Sequence, residues 1–383
     1  MEQWVSVARE VAARLSEDAV QRERVGGDPV AEVALLREAG LLALTVPADL
    51  GGHGEGWPTA HAVLAEVAAA DASVGHVLGY HYLHLWRLWQ FDVPETAASL
   101  AKATAAQGWL WAGVANPRDD ALALSEDGFT ITGRKFFATG ASAADRLVVS
   151  GVTPAGRKLT VAVDARAPGI RYLGDWDNLG QRMSASGGVE FTGARAEAVL
   201  GAQPDDEDPS APRLSLPALG FQLILSRVLV ATGRGALATA ARYTREQTRA
   251  WPTSGVEHAV DDPHTLAAYG TLSARLDAAE LLVDQAARAF DDAAADPALS
   301  WERRGELSVR VSAAKVVSSE LSVEVANRVF ELTGARATAA RHGMDRFWRN
   351  ARTLTLHDPA VYKAAEVGRH LLTGAVPAPS GYS

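Results

Sequence analysis

The spacing of apolar positions changes twice along the chain, and those changes divide it into three regions. From Trp4 to about Trp89 apolar side chains recur at helical spacing, for example Val33, Leu36, Ala39 and Leu42 to Leu44, with Gly40 and Pro47 punctuating the ends. Gly51-Gly52-His53-Gly54 reads as a loop, and Pro58 as the first-turn proline of a further helix whose stripe contains Val63, Leu64, Val67 and Ala70. Near Gly108 the pattern shortens. Phe129, Ile131, Lys135-Phe136-Phe137, Leu147-Val148-Val149, Leu159, Val161 and Val163 fall in brief β-rich runs broken by Gly, Asp and Pro, and Val189-Glu190-Phe191 alternates as a half-buried strand should, before the region ends near Val199-Leu200. The acidic, proline-containing stretch from Gln203 to Pro212 reads as an exposed linker. From Leu214 helical periodicity returns, with Val317, Leu321, Val325 and Val329 one turn apart and Gly334 as the C-cap. The pattern predicts an α+β chain: a helical domain over 1–107, a β domain over 108–212 and a helical bundle over 213–383.

Composition narrows the chemistry. A chain of 383 residues, 48% hydrophobic and 22% charged, has ample core-forming capacity and the balance of a folded protein. A net charge of -9 argues against a nucleic-acid surface, which needs clustered Lys and Arg. The absence of cysteine excludes disulfides, thiolate nucleophiles and Cys-ligated metal clusters, so redox chemistry requires a bound cofactor. The opening Met1-Glu2-Gln3-Trp4 lacks the blocks of a signal peptide, and no uninterrupted apolar run approaches the ~20 residues of a membrane span, so a cytoplasmic protein without membrane contact is expected.

Three segments carry a family resemblance. The run Ile131-Thr132-Gly133-Arg134-Lys135-Phe136-Phe137-Ala138-Thr139-Gly140-Ala141 resembles the β-domain signature of acyl-CoA dehydrogenases that lies along the flavin ring. Asn178-Leu179-Gly180-Gln181-Arg182-Met183-Ser184, with Val189-Glu190-Phe191 after it, resembles the strand pair of the same family. Arg227 to Arg249, with Gly233, Gly235, Ala236, Tyr243-Thr244 and Arg245, is similar to the helix that follows that domain. With Leu36 to Leu41 and Val46-Pro47…Gly51-Gly52, the resemblance covers nearly the whole chain. It implies the acyl-CoA dehydrogenase-like fold: an N-terminal helical domain, a central β-barrel-like domain and a C-terminal helical bundle that packs into a homotetramer. It also implies that Phe137, Ala138, Thr139, Gly140, Ala141 and Ser142 bind flavin, exposed loop N–H groups bonding the ring and tuning it; taken alone, Thr139 to Ser142 reads as an ordinary turn.

The C-terminal third departs from the dehydrogenases. Their Glu base and EGT-like stretch are not evident, and the chain instead reads Arg346-Phe347-Trp348-Arg349-Asn350-Ala351-Arg352-Thr353-Leu354-Thr355-Leu356-His357-Asp358-Pro359. This resembles the flavin-dependent monooxygenase branch of the superfamily, that of dibenzothiophene monooxygenase and related two-component hydroxylases, in which R-x-x-T-x-H-D-P delivers a His to the flavin. The resemblance implies His357, His81, Asn116 and Ser142 as catalytic residues. An imidazole changes charge near pH 7 and can donate to a flavin C4a-hydroperoxide, whereas the plain reading of His357 is a helix-end His bonded to backbone, and that of Asn116 an Asn-Pro turn.

Trp348 and Arg352 are expected to hold the cofactor, Arg352 by offsetting flavin or phosphate charge; its alternative is a surface salt bridge. Tyr82, His84 and Trp86 are expected to line the substrate pocket, although aromatic helix faces also make ordinary core. His81 and His84 share a helix face, but two His without a carboxylate make an incomplete metal site, and no metal is expected. His76 reads as a surface or packing residue.

The adenine-binding run of the dehydrogenases is replaced by Arg249-Ala250-Trp251-Pro252-Thr253-Ser254-Gly255 and the insert Asp261-Asp262-Pro263, which favours FMN over FAD. No G-x-G-x-x-G follows a strand, so a separate NAD(P)H:flavin reductase is the implied partner. The expected activity is oxygenation of a small organic substrate at S, N or an aromatic carbon by reduced FMN and O2. Two alternatives stand beside it: an FAD-dependent acyl-CoA dehydrogenase using Glu246 or Glu366, and a non-catalytic binding or assembly subunit.

Overall fold

The structure, a computed structural model, describes residues 1–203 and 212–383. The N-terminal region holds α1 (Glu2–Val25), α2 (Val30–Glu38), α3 (Trp57–Ala70), α4 (Ala72–Arg87) and α5 (Pro94–Gln107). Pro58 and Pro94 sit in first turns, where a missing N–H costs nothing. α4 begins at Asp71, whose carboxylate accepts the Ser73 and Val74 N–H groups at 3.0 and 3.2 Å. Every residue of α4 except Trp86 is buried, which makes it the central helix of the molecule. Its polar side chains must therefore find partners inside the protein.

Eight strands form one curled sheet among the described residues: β1 (Trp111–Val114), β2 (Leu122–Leu124), β3 (Thr130–Lys135), β4 (Arg146–Val152), β5 (Lys158–Asp164), β6 (Ile170–Tyr172), β7 (Val189–Arg195) and β8 (Ala198–Ala202). The order is β6-β7-β3-β2-β4-β5-β8, and β1 lies parallel to β4. β4 and β5 alternate little, Leu147-Val148-Val149 and Val161-Ala162-Val163 being buried throughout, because helices cover one face of the sheet and the curl closes over the other.

The C-terminal region holds α6 (Leu216–Gln247), α7 (Pro263–Ala295), α8 (Trp301–Thr333), α9 (Asp345–Leu354) and α10 (Ala360–Thr373). α6 is long and apolar enough to cross a membrane, but most of that stretch is buried inside the protein, packed by α3, α4, α7 and α8. It approaches α3 so closely that a Cβ on Gly235 would stand 2.0 Å from the Ala69 carbonyl oxygen, so only glycine fits. In α8, Leu321, Val325 and Val329 are buried, whereas Val317 at the other end of the stripe is 38% exposed. α8 ends at Thr333, and Gly334 follows at φ 77° with its N–H on the Phe330 carbonyl at 2.9 Å. The linker expected from Gln203 to Pro212 falls almost wholly outside the described residues.

Candidate active site

The two polar faces of α4 have different fates. On one, His81 Nε2 donates to the Leu42 carbonyl at 2.9 Å and Nδ1 accepts the Trp111 N–H at 3.0 Å. Burial pushes this imidazole down to about 4, so it is neutral, and both nitrogens are occupied. Tyr82 donates to the Leu41 carbonyl at 3.0 Å, and Trp86 packs against the rings of Trp57 and Phe290. The structure thus places His81 and Tyr82 in bonds to backbone and Trp86 in aromatic packing, away from the face described next. His81 satisfies the Leu42 carbonyl and the Trp111 N–H at the start of β1, and Tyr82 adds a second donor to the Leu41 carbonyl, which also accepts the Leu44 N–H at 3.4 Å.

The other face presents His76, Tyr80 and His84 at i, i+4 and i+8. Tyr80 stands edge-on to His76 at 4.3 Å and to Phe221 of α6 at 4.8 Å, and the His84 ring lies 5.4 Å from Phe221. A Cβ on Gly113 of β1 would fall 2.1 Å from the His84 ring, so the glycine admits it. His76 Nδ1 pairs with Gln181 Oε1 at 3.1 Å, while its Nε2 is buried with no partner.

Further polar atoms stand orphaned beside this face: Gln181 Nε2, His84 Nδ1, Gln222 Oε1 of α6, Lys315 Nζ of α8 and Asp358 Oδ2. The Lys315 ammonium is 3.5 Å from Asp358 Oδ1, an ion pair too long for a hydrogen bond, and His357 Nδ1 meets the same oxygen at 3.1 Å. Burial pushes the Asp358 carboxyl up, but the bond from His357 and the charge of Lys315 prevail and hold it well below the usual range. Burial lowers Lys315 against the opposing pull of Asp358. Burial takes His76 down to about 3, with His357 and Lys315 adding to it. Tyr80 is raised by burial, then by Asp358 and Tyr382. His76 thus has His357 and Lys315 as charged neighbours, and Tyr80 has Asp358 and Tyr382, which gathers these groups into one neighbourhood. Buried polar atoms rarely go unpaired, and a concentration of them from α4, α6, α8 and two loops is the signature of a ligand site.

The sheet supplies the other wall. The segment after β3 and the segment before β7 are laced together: Ala138 N–H donates to Gly187 O at 3.1 Å, Gly140 N–H to Ser184 O at 2.9 Å, and the Thr139 and Ser186 hydroxyls meet at 2.9 Å. All three non-glycine residues with left-handed φ among those described, Phe137, Gln181 and Ala185, lie in these segments. Backbone strain gathers where a binding surface is being shaped. The N–H groups of Ala138, Thr139, Gly140 and Ala141 are all given to protein carbonyls, so the expectation that they bond a flavin ring is corrected: the strand-to-loop turn consumes them. What the loop offers instead is the face of Phe137, 65% exposed, and the Ser142 hydroxyl, which bonds Asp28 at 2.6 Å.

The remaining expected residues are scattered around this centre. Asn116 forms an Asn-Pro turn, its Oδ1 accepting the Arg118 N–H at 3.2 Å while its carbonyl accepts Lys135 Nζ at 2.8 Å. Trp348 is half-buried against the core, and Arg352 is exposed on α9 without a carboxylate partner among the described residues. Gly381 packs on Pro117, and the Tyr382 ring stands 5.9 Å from His357, so the C-terminal segment folds back over the same space. Of the glutamates a dehydrogenase would need, Glu246 is exposed at the end of α6, and Glu366 is bound by Lys363 at 3.1 Å and Ser312 at 2.6 Å. Among the described residues no group of three His, Asp or Glu is placed to hold a metal.

Comparison with known proteins agrees with this arrangement. The acyl-CoA dehydrogenase N-terminal domain matches residues 2–107 and the acyl-CoA dehydrogenase C-terminal domain residues 223–361. A dibenzothiophene monooxygenase of Mycolicibacterium goodii is 38% identical over 98% of this chain and 95% of its own. The chain belongs to the acyl-CoA dehydrogenase family, in its flavin-dependent monooxygenase branch. A probable FMNH2-dependent monooxygenase, SfnC of Pseudomonas putida, is 37% identical over 99% of this chain and 97% of its own. The crystal structure of FMN-bound TdsC from Paenibacillus sp. A11-2 superposes with a TM-score of 0.94 at 38% identity, covering both chains completely. The family fold therefore spans all three regions, and the departures from the dehydrogenases lie at the site.

Sequence reasoning missed His76, Tyr80, Gln181 and Lys315. The available signal was the i, i+4, i+8 spacing of His76, Tyr80 and His84.

Proposed function

We propose that the chain is the oxygenase component of a two-component system, taking reduced FMN from a separate NAD(P)H:flavin reductase in the cytoplasm and using O2 to oxygenate a small organic substrate, with a sulfur compound as the favoured class. The observation that carries this reading is the cluster of buried, unpaired polar atoms around His76, with the exposed imidazole of His357 joined to it through Asp358 and no unpaired glutamate among them. Removing an α-proton from a thioester needs a basic carboxylate, and His357 and Lys315 hold Asp358 well below the usual carboxylate range. The names of the relatives support FMN and a sulfur-bearing substrate.

Reduced FMN, when bound, supplies the electrons that activate O2. Phe137, Ser142, Trp348 and Arg352 would hold it, Arg352 by its charge and Ser142 through the hydroxyl that here donates to Asp28. Asp358 accepts from Nδ1–H of His357, which orients the ring and leaves Nε2 to take or give a proton in the space. Tyr80, Phe221 and His84 form the substrate wall and exclude water, and Asn116 offers its amide from the rim. The exposed Val361, Tyr362, Leu371 and Leu372 of α10 support a homotetramer in which partner helices cover them.

The test is an assay with purified chain, a flavin reductase, NADH, FMN and dibenzothiophene. An oxygen atom from labelled O2 should enter the sulfur compound, and His357→Ala should divert most of the O2 consumed to hydrogen peroxide. Bleaching of bound FAD by an acyl-CoA, without oxygen incorporation, would overturn the reading.

A further inference from the structure

Gln181 adopts φ 57° without being a glycine, a strained conformation that persists only where the surroundings impose it. Here they do. Its N–H donates to Asn350 Oδ1 on α9, and its carbonyl accepts Trp176 Nε1 at 2.7 Å. The preceding Gly180 lies against α9 so tightly that a Cβ would stand 2.2 Å from the Arg349 carbonyl oxygen. Asn350 lies beside the carboxylate of Glu23 on α1, which binds its neighbour Arg349 at 3.0 Å. The loop before β7 is thus fixed to α9 and, through it, to α1.

That fixation leaves the Gln181 side chain one use. It is 1% exposed, and Oε1 faces His76 Nδ1 at 3.1 Å. A carbonyl oxygen only accepts, so the proton on the His76 ring stands on Nδ1, and Nε2, buried and unpartnered, carries a lone pair. We propose that Gln181, clamped by Asn350, is a positioning residue: it sets the tautomer of His76 so that Nε2 is an acceptor for a proton-bearing atom in the space shared with His357. The inference rests on the proposed oxygenase reading for its consequence in turnover, but the tautomer itself does not depend on it.

The experiment reads the ring directly. Solid-state nitrogen NMR of the full chain, labelled at histidine and free of flavin, gives the tautomer of each ring, and the His76→Gln spectrum assigns the signal. His76 in the wild type and in Gln181→Glu, which keeps an acceptor at that position, should show the Nδ1–H form; Gln181→Met should lose it. In turnover, Gln181→Met should lower kcat by about ten- to a hundredfold, the range seen when a partner orienting a functional histidine is removed, with FMN affinity within about threefold of wild type and kcat recovered in Gln181→Glu. An Nε2–H form in the wild type, or a Gln181→Met variant with tautomer and kcat unchanged, overturns the proposal. If Gln181→Met does not fold, the wild-type and Gln181→Glu spectra decide. A wild-type chain that shows the Nδ1–H form yet transfers no oxygen would sink the oxygenase reading and leave the tautomer assignment standing.

Discussion

One helix, α4, carries three histidines that face inward, and their hydrogen bonds divide them. His81 is saturated by backbone on both nitrogens, whereas His76 and His84 each keep a buried nitrogen unpaired. All three rings are buried and pushed toward neutrality by that burial, so exposure and charge do not distinguish them. What distinguishes them is whether the protein uses every donor and acceptor. A saturated ring is a structural brace, and a ring left with a lone pair in a low-dielectric interior is waiting for a ligand.

The comparison breaks most visibly by exchanging the two rings for leucine. His81→Leu leaves the Trp111 N–H and the Leu42 carbonyl buried and unpaired, at about 1–3 kcal/mol each, so chemical denaturation should show a loss of roughly 2–5 kcal/mol. His76→Leu leaves one buried acceptor, Gln181 Oε1, unpaired and removes a nitrogen already unsatisfied, so stability should fall by about 1–3 kcal/mol, less than for His81→Leu, while product formation falls by about two orders of magnitude. A His76→Leu variant as unstable as His81→Leu, with turnover intact, would erase the distinction.

The His76 side can be sharpened through Glu23, at the far end of the Asn350 and Gln181 chain. Burial, with Asp71 adding to it, raises this carboxyl to about 7 against the pull of Arg349 and Asn350. The folded state therefore holds a proton that the unfolded state, with an ordinary carboxyl, releases near pH 4.5. Stability from this group is full below that pH and is lost as pH rises through about 7, a change on the order of 3 kcal/mol. Glu23→Gln cannot titrate, so the difference in unfolding free energy between wild type and variant should vary by that amount between pH 4.5 and 8. A pH-independent difference would mean that Glu23 stays charged throughout.

The smallest effect separates the tyrosines. Tyr82→Phe should cost about 0.5–1.5 kcal/mol by removing the hydrogen bond to the Leu41 carbonyl, with activity unchanged. Tyr80→Phe should leave the melting temperature within error and raise KM for substrate. The reverse pattern would place the pocket on the other face of α4.

The fold was legible because burial imprints its period on the chain: helical stripes such as Leu321, Val325 and Val329, and the buried runs of β4 and β5, are statements about one element at a time. The choice of His357 as a candidate rests on a motif that is local in sequence. The difference in hydrogen bonding between His81 and His76 was not legible, because spacing tells which side chains share a face, not which backbone groups beneath that face lack partners. The role of Gln181 was hidden for a similar reason. Its conformation is held by Asn350, 169 residues later, and nothing in either segment announces the other. The Phe137 to Ala141 turn showed its shape in sequence, but its N–H groups are spent on Ser184, Gly187 and the turn itself, which only the folded chain reveals.

The most direct test of the central claim is a crystal structure of the chain soaked with FMN. Flavin density should fill the space bounded by Phe137, His76 and His357, with the orphaned nitrogen of His76 or the imidazole of His357 acquiring a hydrogen-bond partner. Flavin bound elsewhere, with both imidazoles still facing empty space and His81 freed from Leu42, would contradict it.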